Sequence, residues 1–225
     1  MERVNESCTE IIIVRHGETY WNALGKMQGQ TDVDLNDVGR QQAMAVAERL
    51  STEPDITAVY SSDLKRAFDT AQMIAAKFHG LQVIKDEDLR ERHIGELQGL
   101  LFRDLPALNP KAYAALTSNE FDDENLGGGE SRRELHRRCT SSLQRIAANH
   151  RGERVVVVTH GAVIETLYKR ASPEGKLEGI ANASISVIEL SQDDNWSIKS
   201  WDDVSHLKGT PFLKESAFGD DDSSP

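Results

Sequence analysis

The first clear pattern along the chain is a short apolar run that ends abruptly in polar residues. Ile11 to Val14 are four consecutive β-branched residues, and Arg15, His16 and Gly17 follow them directly. The run is too short for the apolar stripe of a helix, so it predicts a fully buried strand. Ligands of open α/β sheets bind at the carboxyl ends of the strands, and a glycine permits a tight turn there. The pattern indicates a binding site at Arg15 and His16, although a strand that merely leaves the core with polar residues would also fit.

The same pattern recurs much later in the chain. Val155 to Val158 are again consecutive and apolar, and Thr159, His160 and Gly161 follow them. If both runs are parallel strands of one sheet, their carboxyl ends lie at the same edge and bring the two imidazoles together. Two imidazoles in such a position can bind and attack an anion. The repeated pattern therefore favours a functional site over two unrelated strands.

The rest of the chain alternates between helical and strand patterns. Apolar residues at helical spacing predict a covering helix over 37–50, a second that Ser62 caps, and a third that begins at the capping box of Ser131 and Glu134. Further strands are predicted at 57–60, 82–84, 184–190 and 196–201. This alternation, with right-handed crossovers, predicts an α/β fold: a three-layer α/β/α sandwich with a mostly parallel central sheet.

The length of the chain favours one domain. It has 225 residues, and no Pro/Gly/Ser-rich linker divides it convincingly. We expect a single domain over 1–209 and a disordered acidic tail over 210–225. Segment 101–130, which contains three consecutive glycines, is expected to form a lid or insertion across the pocket.

Composition narrows the classes of partner. The 26 Lys and Arg residues stand against 37 Asp and Glu residues, which gives a formal charge of −11 and argues against nucleic acid or an anionic membrane as partner. Cys8, near an N-terminus expected to be mobile, and Cys139, at an apolar helical position, argue against a disulfide framework. The first residues lack the apolar core of a signal peptide or a membrane span. We expect a soluble, cytoplasmic protein.

Several motifs together resemble one enzyme family. They are Arg15-His16-Gly17-Glu18-Thr19 with Trp21-Asn22, Ser61 and Leu64 with Arg66-Ala67 and Thr70-Ala71, Glu91 with Gly95 and Gly99, and Thr159-His160-Gly161. On these residues the sequence resembles the histidine phosphatase superfamily, also called the phosphoglycerate mutase-like family, over most of its length. Arg-His-Gly alone would be a weak signal, but the combination is specific. The resemblance implies the same three-layer fold.

The resemblance also implies a metal-independent phosphatase that hydrolyses small phosphate monoesters. Fixed cations must surround the charged phosphoryl oxygens, and Arg15, Arg66 and His160 are expected to supply them. His16 is the expected nucleophile, because a neutral imidazole can form a phosphohistidine. Glu91 is the expected acid that protonates the leaving oxygen and later accepts a proton from water. Without the family pattern, Arg66 would equally fit an ordinary surface ion pair.

Further contacts to the substrate are expected beside this catalytic set. They come from Asn22, Gln28 and Gly29, in the polar connection that follows the first strand, and from Gly161. The expected partner is a small phosphorylated metabolite, and the sequence is compatible with a homodimer.

No metal and no cofactor are expected. His16 and Glu18 could suggest a metal site, but the neighbouring arginines oppose a divalent cation. The remaining histidines lack the spacing of metal ligands.

Two alternatives to a phosphatase stay open. A cofactor-dependent phosphoglycerate mutase must hold a second anionic group and exclude water, so its lid needs basic residues. The resemblance places Ile94 and Phe102 where mutases carry a tyrosine and a lysine, and segment 103–126 offers only Arg103 and Lys111. This favours hydrolysis. The other alternative is a catalytically weak module that binds phosphorylated ligands, and the presence of all five catalytic positions counts against it.

Overall fold

A central sheet organises the fold in the computed structural model, which describes residues 8–117, 126–177 and 179–211. Among these residues its six strands are β1 (Cys8–Arg15), β2 (Ile56–Ser61), β3 (Val83–Lys85), β4 (Arg154–Thr159), β5 (Ile185–Ser191) and β6 (Trp196–Asp203). Their spatial order is β3-β2-β4-β1-β5-β6. The pairs among β1 to β4 are parallel, whereas β5 is antiparallel to both β1 and β6. The prediction of a mostly parallel sheet is confirmed.

Helices connect the strands and cover the sheet. In the described part of the chain they are α1 (Tyr20–Ala23), α2 (Asp37–Ser51), α3 (Lys65–Ala75), α4 (Leu105–Leu108), α5 (Pro110–Thr117), α6 (Arg132–Asn149) and α7 (Gly161–Ala171). The capping box predicted for α6 is confirmed: the Ser131 hydroxyl accepts the N–H of Glu134 at 3.1 Å, and the Glu134 carboxylate accepts the N–H of Ser131 at 2.9 Å.

Alternate side chains of β1 face two different apolar layers. Ile12 and Val14 pack in one layer, and Ile11 and Ile13 pack in the other. In the first layer, α2 and α3 contribute Val46, Leu50, Ala67 and Ile74. In the second layer, α6 and α7 contribute Leu135, Cys139, Leu143 and Leu167. Helices therefore cover both faces, which confirms the three-layer sandwich. Burial of each large apolar side chain contributes about 1.5–3 kcal/mol, so the apolar run from Ile11 to Val14 stabilises β1 at the centre of the sheet.

One local prediction was wrong. Ser62 does not cap α3, whose N-cap is Leu64. The reason is that the N–H of Ser62 still bonds to the carbonyl of Val158 in β4 at 3.0 Å, which leaves its hydroxyl to accept the N–H of Leu64 at 3.3 Å. Cys8 begins β1 and pairs with Ser191 of β5, and the terminus expected to be mobile, residues 1–7, lies outside the described residues.

Part of the expected lid is described, from residue 101 to residue 117. Within it, α4 and α5 contribute Leu105 and Ala112 to a small apolar cluster with Met27, Ile94 and Leu97. Residues 118–125 of the expected lid and residues 212–225 of the expected tail lie outside the described residues. No helix in the described ranges combines the length and the apolar character needed to cross a membrane.

Candidate active site

The pairing of β1 with β4 brings His16 and His160 side by side. Arg15 lies opposite Thr159 in the parallel register, and the N–H of His16 donates to the carbonyl of Thr159 at 3.0 Å. Each histidine follows the last residue of its strand, so both rings lie at the same edge of the sheet. Their centroids are 5.1 Å apart. The expected meeting of the two imidazoles is confirmed.

His16 is a buried, neutral imidazole with a defined tautomer. Its Nδ1 lies 2.7 Å from the carbonyl oxygen of Gly17, which has no proton to give, so Nδ1 carries the hydrogen and Nε2 carries the lone pair. Burial, together with the positive charges of Arg66 and Arg15, holds the pKa of His16 well below its usual 6.5. The ring therefore presents a basic, nucleophilic nitrogen near neutral pH.

Arg15 and Arg66 are buried cations that the backbone holds in place. An Nη1–H of Arg15 donates to the carbonyl of Ile180. Arg66 donates to the carbonyls of Thr31 at 2.8 Å and Gly29 at 2.7 Å. Burial lowers the pKa of Arg66 to about 10, which still leaves it protonated at neutral pH. The ion-pair role that the sequence left open for Arg66 does not fit, because the side chain is 0% exposed and binds carbonyls.

His160 differs from the expectation that it supplies a fixed positive charge. The residue is 0% exposed, and burial and the charge of Arg66 are the main causes that hold its pKa well below 6.5. In this environment the imidazole is neutral, with one N–H donor and one acceptor nitrogen. The positive charge of the pocket comes from the arginines, and His160 can contribute one hydrogen bond to an anion.

Glu91 lies at the N-terminus of α7, beside Arg15. One carboxylate oxygen accepts the N–H of Arg92 at 2.7 Å, and the other accepts the N–H of Ala162 at 3.3 Å. A methyl group placed on Gly161 would lie 3.8 Å from Cζ of Arg15 and 3.9 Å from Oε2 of Glu91. The predicted residues Arg15, Glu91 and Gly161 are therefore neighbours.

Asn22, Gln28 and Gly29 lie in the connection that wraps this edge. The hydroxyl of Thr19 lies 3.0 Å from Oδ1 of Asn22 and 2.9 Å from Oε1 of Gln28. Asn22 belongs to α1, a short helix within the segment predicted to be a polar connection. The carbonyl of Gly29 accepts a hydrogen bond from Nη2 of Arg66 at 2.7 Å.

Several buried nitrogens around His16 have no hydrogen-bond partner among the described residues. They are Nε of Arg15, Nε of Arg66, Nδ2 of Asn22 and both ring nitrogens of His160. Buried polar atoms are normally paired, so a cluster of such atoms indicates a ligand. Arginine and amide nitrogens are donors only, and the matching partner is an anion rich in acceptor oxygens, such as a phosphoryl group.

The carboxylate of Glu18 does not join the histidine that precedes it in the motif. Its Oε1 accepts an amide hydrogen of Asn36 at 2.6 Å. In the described ranges no three side chains of the metal-ligating types His, Cys, Asp and Glu come together as a group that could hold a metal ion.

A sequence model of the histidine phosphatase superfamily, branch 1, matches residues 11–204. The chain belongs to this superfamily. Phosphoglycerate mutase-like protein 4 of Arabidopsis thaliana is 57% identical over 216 residues, which cover 96% of this chain and 94% of the relative. The metal-independent phosphoserine phosphatase of the same plant is 49% identical over 218 residues, which cover 97% and 91%.

A solved structure supports the same relationship. The mycobacterial glucosyl-3-phosphoglycerate phosphatase superposes with a TM-score of 0.76 and is 31% identical, and the match covers 87% of this chain and 99% of that one. The present chain, as a histidine phosphatase, is a hydrolase of phosphate monoesters.

The sequence reading assigned no role to two further residues of this site. Nδ2 of Asn182 donates to the carbonyl of His16 at 3.0 Å, and the hydroxyl of Thr70 accepts the N–H of Gly17 at 3.2 Å. Thr70 belongs to a motif that carries the resemblance, so a signal for it exists. Asn182 has none, because nothing in a polar segment before β5 marks one amide as the partner of the residue that follows β1.

Proposed function

We propose that this histidine phosphatase hydrolyses small phosphate monoesters through a phosphohistidine on His16. The observation that carries the proposal is the tautomer of His16: the carbonyl of Gly17 holds the proton on Nδ1, so the lone pair of Nε2 is available. Nε2 attacks phosphorus, a P–N bond forms, and the bond from phosphorus to the ester oxygen breaks. Water then attacks the phosphohistidine, which releases phosphate and restores the imidazole.

Arg15 and Arg66 stabilise the charge of the phosphoryl oxygens throughout this cycle. Their guanidinium groups are fixed by backbone carbonyls before substrate binds, so little reorganisation is needed in the transition state. His160 and Asn22 supply further hydrogen bonds from nitrogens that lack a partner in the described protein. The cycle therefore needs no metal ion to neutralise the substrate.

Glu91 acts as the general acid and base of the two steps. In its protonated form it gives its proton to the departing ester oxygen, and as a carboxylate it then accepts a proton from the attacking water. Its position beside Arg15 supports this role, because it places the carboxyl group next to a cation that is proposed to bind the phosphoryl group.

An alkyl monoester of the phosphoserine type is the substrate class that we propose. The metal-independent phosphoserine phosphatase that is 49% identical supports this class. The residues near the lid support hydrolysis over transfer: Ile94 is buried in the apolar cluster, and the ring of Phe102 lies 5.8 Å from that of Tyr113. Neither side chain can hold a second anion.

A phosphoglycerate mutase is the second candidate, favoured by the name of the relative that is 57% identical. A binding module without turnover is less compatible with a neutral nucleophile beside two fixed cations. The acidic composition and the small substrate class support a cytoplasmic location, which we also propose.

The test is phosphate release from a panel of monoesters with and without EDTA. The panel contains O-phosphoserine, 3-phosphoglycerate, a sugar phosphate and p-nitrophenyl phosphate. We expect turnover of O-phosphoserine that EDTA does not change. Binding of phosphate with no release from any monoester would overturn the enzymatic proposal, and loss of turnover in EDTA would overturn its metal independence.

A further inference from the structure

The backbone carbonyl of Glu91 is held from two sides by side chains outside the family motifs identified above. Nη2 of Arg138, on α6, donates to this carbonyl at 3.0 Å. Nε2 of Gln30, in the connection that also carries the carbonyl ligand of Arg66, donates to it at 3.0 Å. The carboxylate of the same residue is bound by α7. Glu91 is thus fixed at both its main chain and its side chain.

Arg138 is itself rigidly placed. Its Nε lies 2.6 Å and its Nη2 lies 2.8 Å from the two carboxylate oxygens of Glu130, which makes a bidentate pair. Its Nη1 donates to the carbonyl of Asp88 at 2.7 Å. The side chains of Arg138 and Glu130 are 16% and 14% exposed. The guanidinium therefore joins α6 to the segment that carries Glu91 with a defined geometry.

We propose that Arg138 and Gln30 are positioning residues for Glu91 and set the distance between its carboxyl group and the leaving oxygen. This inference rests on the proposed role of Glu91 as general acid. Proton transfer in a transition state requires a donor within hydrogen-bond reach of the oxygen, and a displacement of 1 Å can cost about a hundredfold in rate. Loss of either donor frees the carbonyl and lets the carboxyl group move.

Arg145 provides a matched control on the same helix. It lies two turns after Arg138 on α6 and also binds the segment before Glu91, but through the carboxylates of Asp86 and Asp88 at 3.1 Å and 2.8 Å. Replacement of Arg145 thus removes an ion pair between the same two parts of the chain without removing a hydrogen bond to Glu91.

The experiment uses the leaving group as the readout. The alkoxide of O-phosphoserine departs badly without a proton, whereas p-nitrophenolate departs without one. For Arg138→Met and Gln30→Met we compare kcat/KM, which reports formation of the phosphohistidine and not its later hydrolysis. We expect kcat/KM for O-phosphoserine to fall by about 10- to 100-fold, while kcat/KM for p-nitrophenyl phosphate changes by less than about threefold. Arg145→Met should leave both values within about twofold of the unaltered protein. Arg138→Lys, which keeps one donor, should restore part of the activity on O-phosphoserine.

Each possible failure has a separate meaning. If Arg138→Met lowers both activities equally, or if Gln30→Met changes neither, the positioning role is overturned. If Arg138→Met does not fold by circular dichroism, the result of Gln30→Met decides, because that change removes no ion pair. Glu91→Gln tests the underlying function: if it fails to distinguish the two substrates, Glu91 is not the acid. If Glu91→Gln lowers the activity on O-phosphoserine more than that on p-nitrophenyl phosphate and Arg138→Met does not, the positioning role is overturned and the role of Glu91 as acid stands.

Discussion

The rings of His16 and His160 lie with their planes tilted by 59° and their centroids 5.1 Å apart, and both are neutral. Burial and the positive charge of Arg66 keep a proton off each ring, because a further positive charge there would be poorly solvated and repelled. In the proposed mechanism the arginines therefore supply the positive charge, His16 supplies the nucleophile and His160 supplies a hydrogen bond.

Burial of neutral histidine makes the folded protein sensitive to acid. In the unfolded chain each histidine binds a proton below about pH 6.5, while in the folded chain His16 stays neutral, so stability falls as the pH drops below that value. Each such histidine contributes a slope of about 1.4 kcal/mol per pH unit. We expect the free energy of unfolding in urea to fall less steeply between pH 6.5 and 5.5 for His16→Asn than for the unaltered protein. Equal slopes would contradict a depressed pKa at His16.

Replacement of the nucleophile should remove turnover. We expect His16→Ala to lower phosphate release at least about a thousandfold, because no other group can form the covalent intermediate, whereas Arg66→Ala should retain a trace. Rapid quench with radiolabelled substrate should trap an acid-labile phosphoryl group in the unaltered protein alone. His79→Ala, at an exposed histidine, is the control and should behave normally. Undiminished turnover in His16→Ala would refute the assignment.

The turn after His16 depends on a contact between two glycines. A methyl group on Gly39 would lie 1.9 Å from the carbonyl oxygen of Glu18, and one on Gly17 would lie 2.3 Å from the carbonyl oxygen of Gly39. We expect Gly39→Ala to reduce the free energy of unfolding by about 1–3 kcal/mol, because backbone must move to admit the methyl group. Gln41→Ala, at an exposed position of the same helix, should change it by less than about 0.5 kcal/mol. Similar values for the two variants would show that the helix moves freely.

Hydrolysis should exceed transfer. Ile94 and Phe102 pack with apolar partners and cannot bind a second anionic group. We therefore expect the phosphohistidine to transfer its phosphoryl group to water and not to a phosphoglycerate. A coupled assay compares phosphate release from monoesters with interconversion of 3-phosphoglycerate and 2-phosphoglycerate, and added 2,3-bisphosphoglycerate should not be needed. A mutase rate tenfold above the rate of release, a difference of about 1.4 kcal/mol between the barriers, would reverse the assignment.

The apolar runs before His16 and His160 were enough to predict their meeting, because consecutive β-branched residues bury a strand wherever the rest of the chain lies. The charge of His160 was not predictable, since it depends on how completely the ring is enclosed and on the cations beside it. The hydrogen bonds of Arg138 and Asn182 were not predictable from the sequence either. Each links an ordinary polar side chain to a carbonyl far away in the sequence, and only the packed fold brings the two together.

Both neighbours of β1 in the sheet, β4 and β5, come from the last third of the chain. About 140 residues separate Val14 from the start of β4, so at about 5–20 residues per second roughly seven to thirty seconds pass before either edge of the run from Ile11 to Val14 can pair. For that interval the chain exposes an apolar segment with two open edges, which is a template for association with other chains. Synthesis thus produces β1 well before both of its partners, so the edge that carries His16 and His160 forms only after most of the described chain has been made.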